Sequence, residues 1–244
     1  MALGPDYKTV SRTGAAATGI DAGLRQYMLR VYNYMAGGVA VTGIVAYVFA
    51  YMLETNQDLL NAVYGSPLKW VIMFAPVGFA LFFGMRIQTM AASTAQMLFW
   101  ALSAVMGLSL ASIFLAYTGE SVARVFFISA GMFGAMSLYG YTTKTDLSRF
   151  GSFLIMGLIG LFLAIVVNMF LASPAMDFAI SVIGVLLFTG LTAWDTQKIK
   201  EWYAESDGGD VALKKAVYGA LNLYMDFINL FLFLLRFLGV ARSN

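Results

Sequence analysis

The chain has 244 residues, 60% of them hydrophobic and 11% charged, against roughly 45–50% apolar and roughly 25% charged in soluble domains. That is the composition of an integral membrane protein. With no Cys and no His, disulfides, thiolate chemistry, Ser-His-Asp triads and imidazole-based metal sites are excluded, and a formal net charge of +2 without a block of like charges excludes a nucleic-acid-binding arm.

Residues 1–27, MALGPDYKTVSRTGAAATGIDAGLRQY, are polar, rich in small residues and without the apolar stretch of a cleaved signal; they are expected to be a short, mobile cytoplasmic tail ahead of a transmembrane domain at 28–240. The run 31–53 is free of charge and long enough to cross a bilayer core, which takes about 20 helical residues. A second span is expected at 70–85, between Lys69 and Arg86, whose long side chains reach for the two interfaces. RIQTMAASTAQ reads as a loop or helix entry, followed by spans at 97–117, 125–143, 150–173 and 178–194, with ASPAMD as the turn between the fifth and sixth. Lys214 and Lys215 open the seventh, which runs from 217 to about 239. The expected fold is all-α, seven transmembrane helices with no room for a soluble domain.

Of the 15 Lys and Arg, eleven fall on the side of the N-terminus and four on the other, which places the N-terminus in the cytoplasm and the C-terminus outside. Gly131, Gly134, Ala135 and Gly140, in GMFGAMSLYG, are spaced for close helix packing, as are the small residues of AGGVAVTG in the first span. Asn168, a lone polar residue in the fifth span, is expected to bond a neighbouring helix.

Two carboxylates stand out. Asp195 lies at the end of an apolar run in GLTAWDTQKIKEWY and Asp226 in the middle of another, NLYMDFINLFLFLL. A central intramembrane carboxylate costs roughly 2.5–3.5 kcal/mol on the insertion scale, while each central Leu, Ile, Phe or Val returns about 0.3–0.6 kcal/mol. The seventh span is apolar enough to insert in spite of Asp226, but this does not say what the acid is for. Span six descends toward the cytoplasm and span seven rises from it, so the two acids are expected at one depth in the inner half of the membrane, with Arg86, at the end of the second span, on the same side. Asn222, Asp226 and Asn229 share one face of span seven, and Thr192 lies on a similar polar stripe with Asp195. Three readings are open: a structural hydrogen-bond and ion-pair network, a gated ion or proton site, and catalysis. Two carboxylates in contact do not both ionise cheaply, so they share a proton, and a nearby guanidinium competes with it. That makes Asp195, Asp226 and Arg86 a candidate pH-sensing gate. Asp and Asn oxygens also suit a transient contact between Asp195, Asp226 and Ca²⁺ better than a transition metal.

GLTAWDTQKI around Asp195 and ALNLYMDFINLFLFLLR around Asp226 closely resemble the two C-terminal signature segments of the Bax inhibitor-1 family, also called the transmembrane Bax inhibitor motif or YccA-like family. The resemblance runs from about Tyr27 to the C-terminus. It implies seven membrane helices, the last surrounded by the other six, and a pH-sensitive calcium leak gated by a di-aspartyl pair that matches Asp195 and Asp226, with an arginine partner mapped to Arg86 in FFGMRIQ. The alternative it implies is an interaction protein that modulates a membrane-anchored ATP-dependent protease. No cofactor, enzymatic activity or nucleic-acid partner is expected; the permeant species is calcium or protons, and the setting a bacterial inner membrane. An intramembrane aspartyl protease is disfavoured, because no Gly-x-Gly-Asp pattern precedes either aspartate, and a retinal protein is excluded by the lack of a lysine midway along span seven.

Overall fold

The computed structural model describes residues 7–87 and 89–242, with side chains from residue 22 onward. It contains eight α-helices: α1 (Tyr7–Thr55), α2 (Gln57–Tyr64), α3 (Leu68–Arg86), α4 (Ala92–Ala116), α5 (Gly119–Thr142), α6 (Ser148–Leu171), α7 (Pro174–Glu201) and α8 (Gly209–Leu238). All except α2 are long and apolar enough to cross a membrane. Their alternation defines a near face, holding the start of α1 and the loops at 89–91, 143–147 and 202–208, and a far face holding the end of α8.

The helices overrun the apolar stretches. Residues 22–27, expected in the tail, continue α1, and Tyr27 and Met28 are buried; the rest of the expected tail, 1–21, lies outside the residues whose side chains are described. Likewise α7 runs on through Lys198 and Lys200, and α8 begins eight residues before 217. Hydrogen bonding within a helix continues beyond the bilayer, whereas the apolar pattern stops at it.

The connections are tight because side chains satisfy the free helix ends. Asn56 caps α2 by accepting from Leu59 N at 3.0 Å, and Thr118 caps α5 through Ser121 N at 3.3 Å. Between α6 and α7 the turn is shorter than ASPAMD suggested. Ala172 takes a left-handed backbone at φ 46°, Ser173 caps α7, and Pro174 occupies its first turn, where a missing N–H costs nothing. Asn168 serves this turn, accepting from Ser173 N at 3.0 Å, and does not bond a neighbouring helix as expected. The nearest unsatisfied donor is the one exposed by the turn itself.

The last helix is the core. Its most apolar stretch is 61% buried, against 11–39% for the other six spans, and its extensive contacts are with α1, α4, α5 and α7. The remaining two spans back this ring from outside, α3 packing on α4 and α6 on α7. A hydrophobic helix faces apolar lipid as readily as apolar protein, so the ring is set by shape, by small residues and by polar groups that need partners.

Candidate functional site

The antiparallel register that sets Gly184 against Phe233 and Gly219 against Ile199 brings Asp195 within about a turn of Asp226. The two carboxyl groups face each other within reach of a shared proton. Asp226 is 5% exposed and Asp195 9%. Among the described residues the buried Oδ2 of Asp226 has no hydrogen-bond partner, and the polar group that faces this carboxyl is the other carboxyl. A hydrogen bond between two carboxyl groups requires a proton on one of them.

The cation beside the pair is Lys198, whose Nζ lies 3.9 Å from Asp195 Oδ1 and also over the rings of Trp194, at 4.6 Å, and Trp202, at 5.6 Å. Arg86 is elsewhere. It ends α3 with an exposed side chain and forms no ion pair with either aspartate among the described residues. Lys198 was legible in principle, since Trp194, Asp195 and Lys198 fall at i, i+1 and i+4 on α7.

Two hydroxyl chains that the sequence did not announce hold the surrounding helices. Thr196 Oγ1 donates to Thr192 O at 2.7 Å, so Ser137 Oγ, 3.0 Å away, donates to Thr196, and Tyr32 OH, 2.7 Å further, donates to Ser137. This runs α1 to α5 to α7 and ends beside Asp195. On the other flank Thr42 Oγ1 donates to Ser103 O at 2.8 Å, which makes Tyr224 OH, at 2.7 Å, the donor to Thr42. That ties α8 to α1 and α4 two residues before Asp226. The members are scattered Ser, Thr and Tyr, which in a membrane helix commonly bond their own backbone and give no pattern.

The other expected seam residues are partly committed. Thr192 is buried and donates to Phe188 O at 2.7 Å; Asn229 donates to Met225 O at 2.8 Å through its Nδ2, leaving its amide oxygen; Asn222 is half-buried on the same face. Gln197 holds the near-face loop, its Oε1 accepting from Leu147 N at 2.8 Å and its Nε2 donating to Thr145 O at 2.9 Å. Among the described residues no three acidic side chains cluster in a way that could hold a metal. Two carboxylates supply at most four of the six to eight oxygens that Ca²⁺ takes, which suits passage and not residence.

A protein-family model described as "Inhibitor of apoptosis-promoting Bax1" matches residues 24–243. The chain is 46% identical over 229 residues to the inner membrane protein YbhL of Escherichia coli K12, covering 91% of this chain and 94% of that one. It is 48% identical over 239 residues to an uncharacterised protein of Rickettsia prowazekii, covering 98% and 99%, and 48% identical over 231 residues to one of Caulobacter vibrioides, covering 92% of each. A family match across nearly the whole helical bundle, both signature segments included, makes this chain a member of the Bax inhibitor-1 family of membrane proteins.

Proposed function

We propose that the protein is a pH-sensitive, calcium-permeable leak of the bacterial inner membrane, with its N-terminus in the cytoplasm and the Asp195–Asp226 pair as its gate. The observation that carries this reading is the buried carboxyl pair itself, which sets an acid of the central helix against an acid of its most intimate neighbour, where a bond between them exists only while they share a proton. Intramembrane acids that face a bundle interior mark ion and proton pathways. Both acids are buried, and beyond them Leu230, Phe231, Phe233 and Leu234 fill the far half of the bundle, an arrangement that supports assigning the shared-proton state to closure. Loss of the proton sets two anions against each other at a few ångströms, and α7 and α8 separate. Lys198 is then at hand for one carboxylate, and Arg86 is the partner for the other once the near-face ends of α3 and α7 shift.

The sign follows from linkage. The shut state binds the shared proton and the loosened state does not, so acid favours closure and flux rises with pH. The test is Ca²⁺ entry into liposomes holding a trapped indicator, from pH 5 to 8, for wild type, Asp195→Asn and Asp226→Asn. The expected result is a pH-dependent flux that both substitutions flatten. A dependence of the opposite sign, still flattened by both, keeps the pair as the gate and reverses the order of its states. Absence of flux at every pH from a folded protein rejects the leak and leaves the interaction protein acting on a membrane-anchored protease.

A further inference from the structure

Helices α1 and α5 both pack on α8 without extensive contact with each other, and among the described residues the one polar bond that crosses between them is Tyr32 OH to Ser137 Oγ. The rest of their seam is open. Its near half is a cleft of about 500 Å³ whose walls include Leu29, Phe133, Gly134 and Leu138, with Arg25 at the mouth. Its far half is a second cleft of about 420 Å³, walled by carbon and floored by Phe227, Ile228 and Phe231 of α8. Both volumes fall in the range of ligand cavities, roughly 300–1,000 Å³. Leu29 is 49% exposed and Leu138 63%, so the near cleft opens sideways, toward the bilayer.

We propose that the near half of the α1–α5 seam is a phospholipid site, in which one acyl chain lies along the cleft and the phosphate is met by Arg25. Three observations select this occupant. Among the described residues Arg25 forms no ion pair, so a guanidinium with open donors stands where the cleft reaches the near face. From Arg25 to Ala36, the last α1 residue of the near cleft, is eleven residues, about 16 Å of helix, against about 15 Å for half of a roughly 30 Å hydrocarbon core. The cleft is therefore as long as one leaflet is deep. Nothing lies within 4 Å of a methyl placed on Gly134, so the α5 wall there is bare backbone with room for a chain against it. A charge-assisted bond to phosphate at one end and carbon along the rest is the chemistry of a lipid and of few other molecules.

The site has a consequence for the gate. The acyl chain would lie on Tyr32, the first donor in the hydroxyl chain through Ser137 to Thr196, the residue beside Asp195. This consequence rests on the leak reading; the site does not.

The test reads binding and not flux. Full-length protein is purified in mild detergent, titrated with phosphatidylglycerol and examined by native mass spectrometry, and a photoactivatable phospholipid maps the contacted peptides. One lipid per chain is expected to saturate and to crosslink within 25–36 and 133–141. Arg25→Gln is expected to weaken retention about tenfold, the effect of losing one charge-assisted bond. Gly134→Phe fills the cleft and is expected to abolish retention; Leu138→Trp does the same from the exposed wall if the first variant does not fold. Phosphatidylcholine, which carries the same phosphate, is expected to be retained as well. Retention unchanged by the filling variants, binding that never saturates, or crosslinking of the seam to a second copy of this chain overturns the proposal.

Discussion

At the scale of single residues, the acids can be separated from mere structural glue by stability. Removing one member of a buried hydrogen-bonded pair leaves the other unsatisfied and costs about 1–3 kcal/mol, whereas replacing both with apolar residues of similar shape is nearly neutral or stabilising. The double variant Asp195→Leu with Asp226→Leu is therefore expected to melt at or above the wild-type temperature in detergent while losing all pH-dependent flux. A double variant that unfolds earlier would make the pair a structural element. Tyr224→Phe is a contrasting case. It deletes only the donor to Thr42, which keeps its own bond to Ser103 O, and is expected to cost about 1 kcal/mol in thermal unfolding with the pH response intact. The two acids were legible in the sequence because charge in an apolar run is expensive. Lys198 was legible only through its helical spacing from Asp195, and the hydroxyl chains were not, because isolated Ser, Thr and Tyr are ordinary in membrane helices.

At the scale of elements, the glycine-rich signal in α5 resolves into unequal parts. A methyl on Gly140 would come within 2.2 Å of the backbone oxygen of Ala193, so α5 and α7 touch there, two residues from Asp195. Added methyls at Gly131 and Gly134 meet nothing within 4 Å. Gly140→Ala is expected to push the helices apart and cost about 1–3 kcal/mol, while Gly134→Ala stays within about 0.5 kcal/mol of wild type. Equal effects in a melting assay would refute this division. Sequence spacing shows which small residues share a helix face but not which face meets a neighbour. The seven spans could be read from the apolar runs, and their ends could not, since α7 and α8 continue past the lysines that mark the interface. The short helix α2 was missed because it lies between spans and is capped by Asn56, with no apolar run to announce it.

At the scale of the whole molecule, the charge distribution and the odd number of spans make a joint prediction. Alkaline phosphatase fused after Asn244 is expected to be active in a bacterial host and a green fluorescent protein fused there to be dark. The reverse result would invert the orientation. On the far face the chain end is tied down: Thr118 N donates to Val240 O at 3.1 Å, Arg242 N to Ala116 O at 2.9 Å, and the Arg242 side chain pairs with Glu54 of α1. Ending the chain at Gly239 removes these ties, and amides of the last turn of α8 are expected to exchange faster with deuterium in nanodiscs.

That the core of the bundle is also its C-terminal helix bears on how the protein is made. The first six spans leave the ribosome before the element they are built around, and for that interval the ring formed by α1, α4, α5 and α7 has no centre and Asp195 has no Asp226. A chain cut short anywhere before α8 would thus be a hollow ring with an unpaired acid in the membrane, the kind of polar defect by which membrane quality control tells an unfinished protein from a finished one. Completion of the fold and completion of the acid pair are one event, so assembly reports on itself.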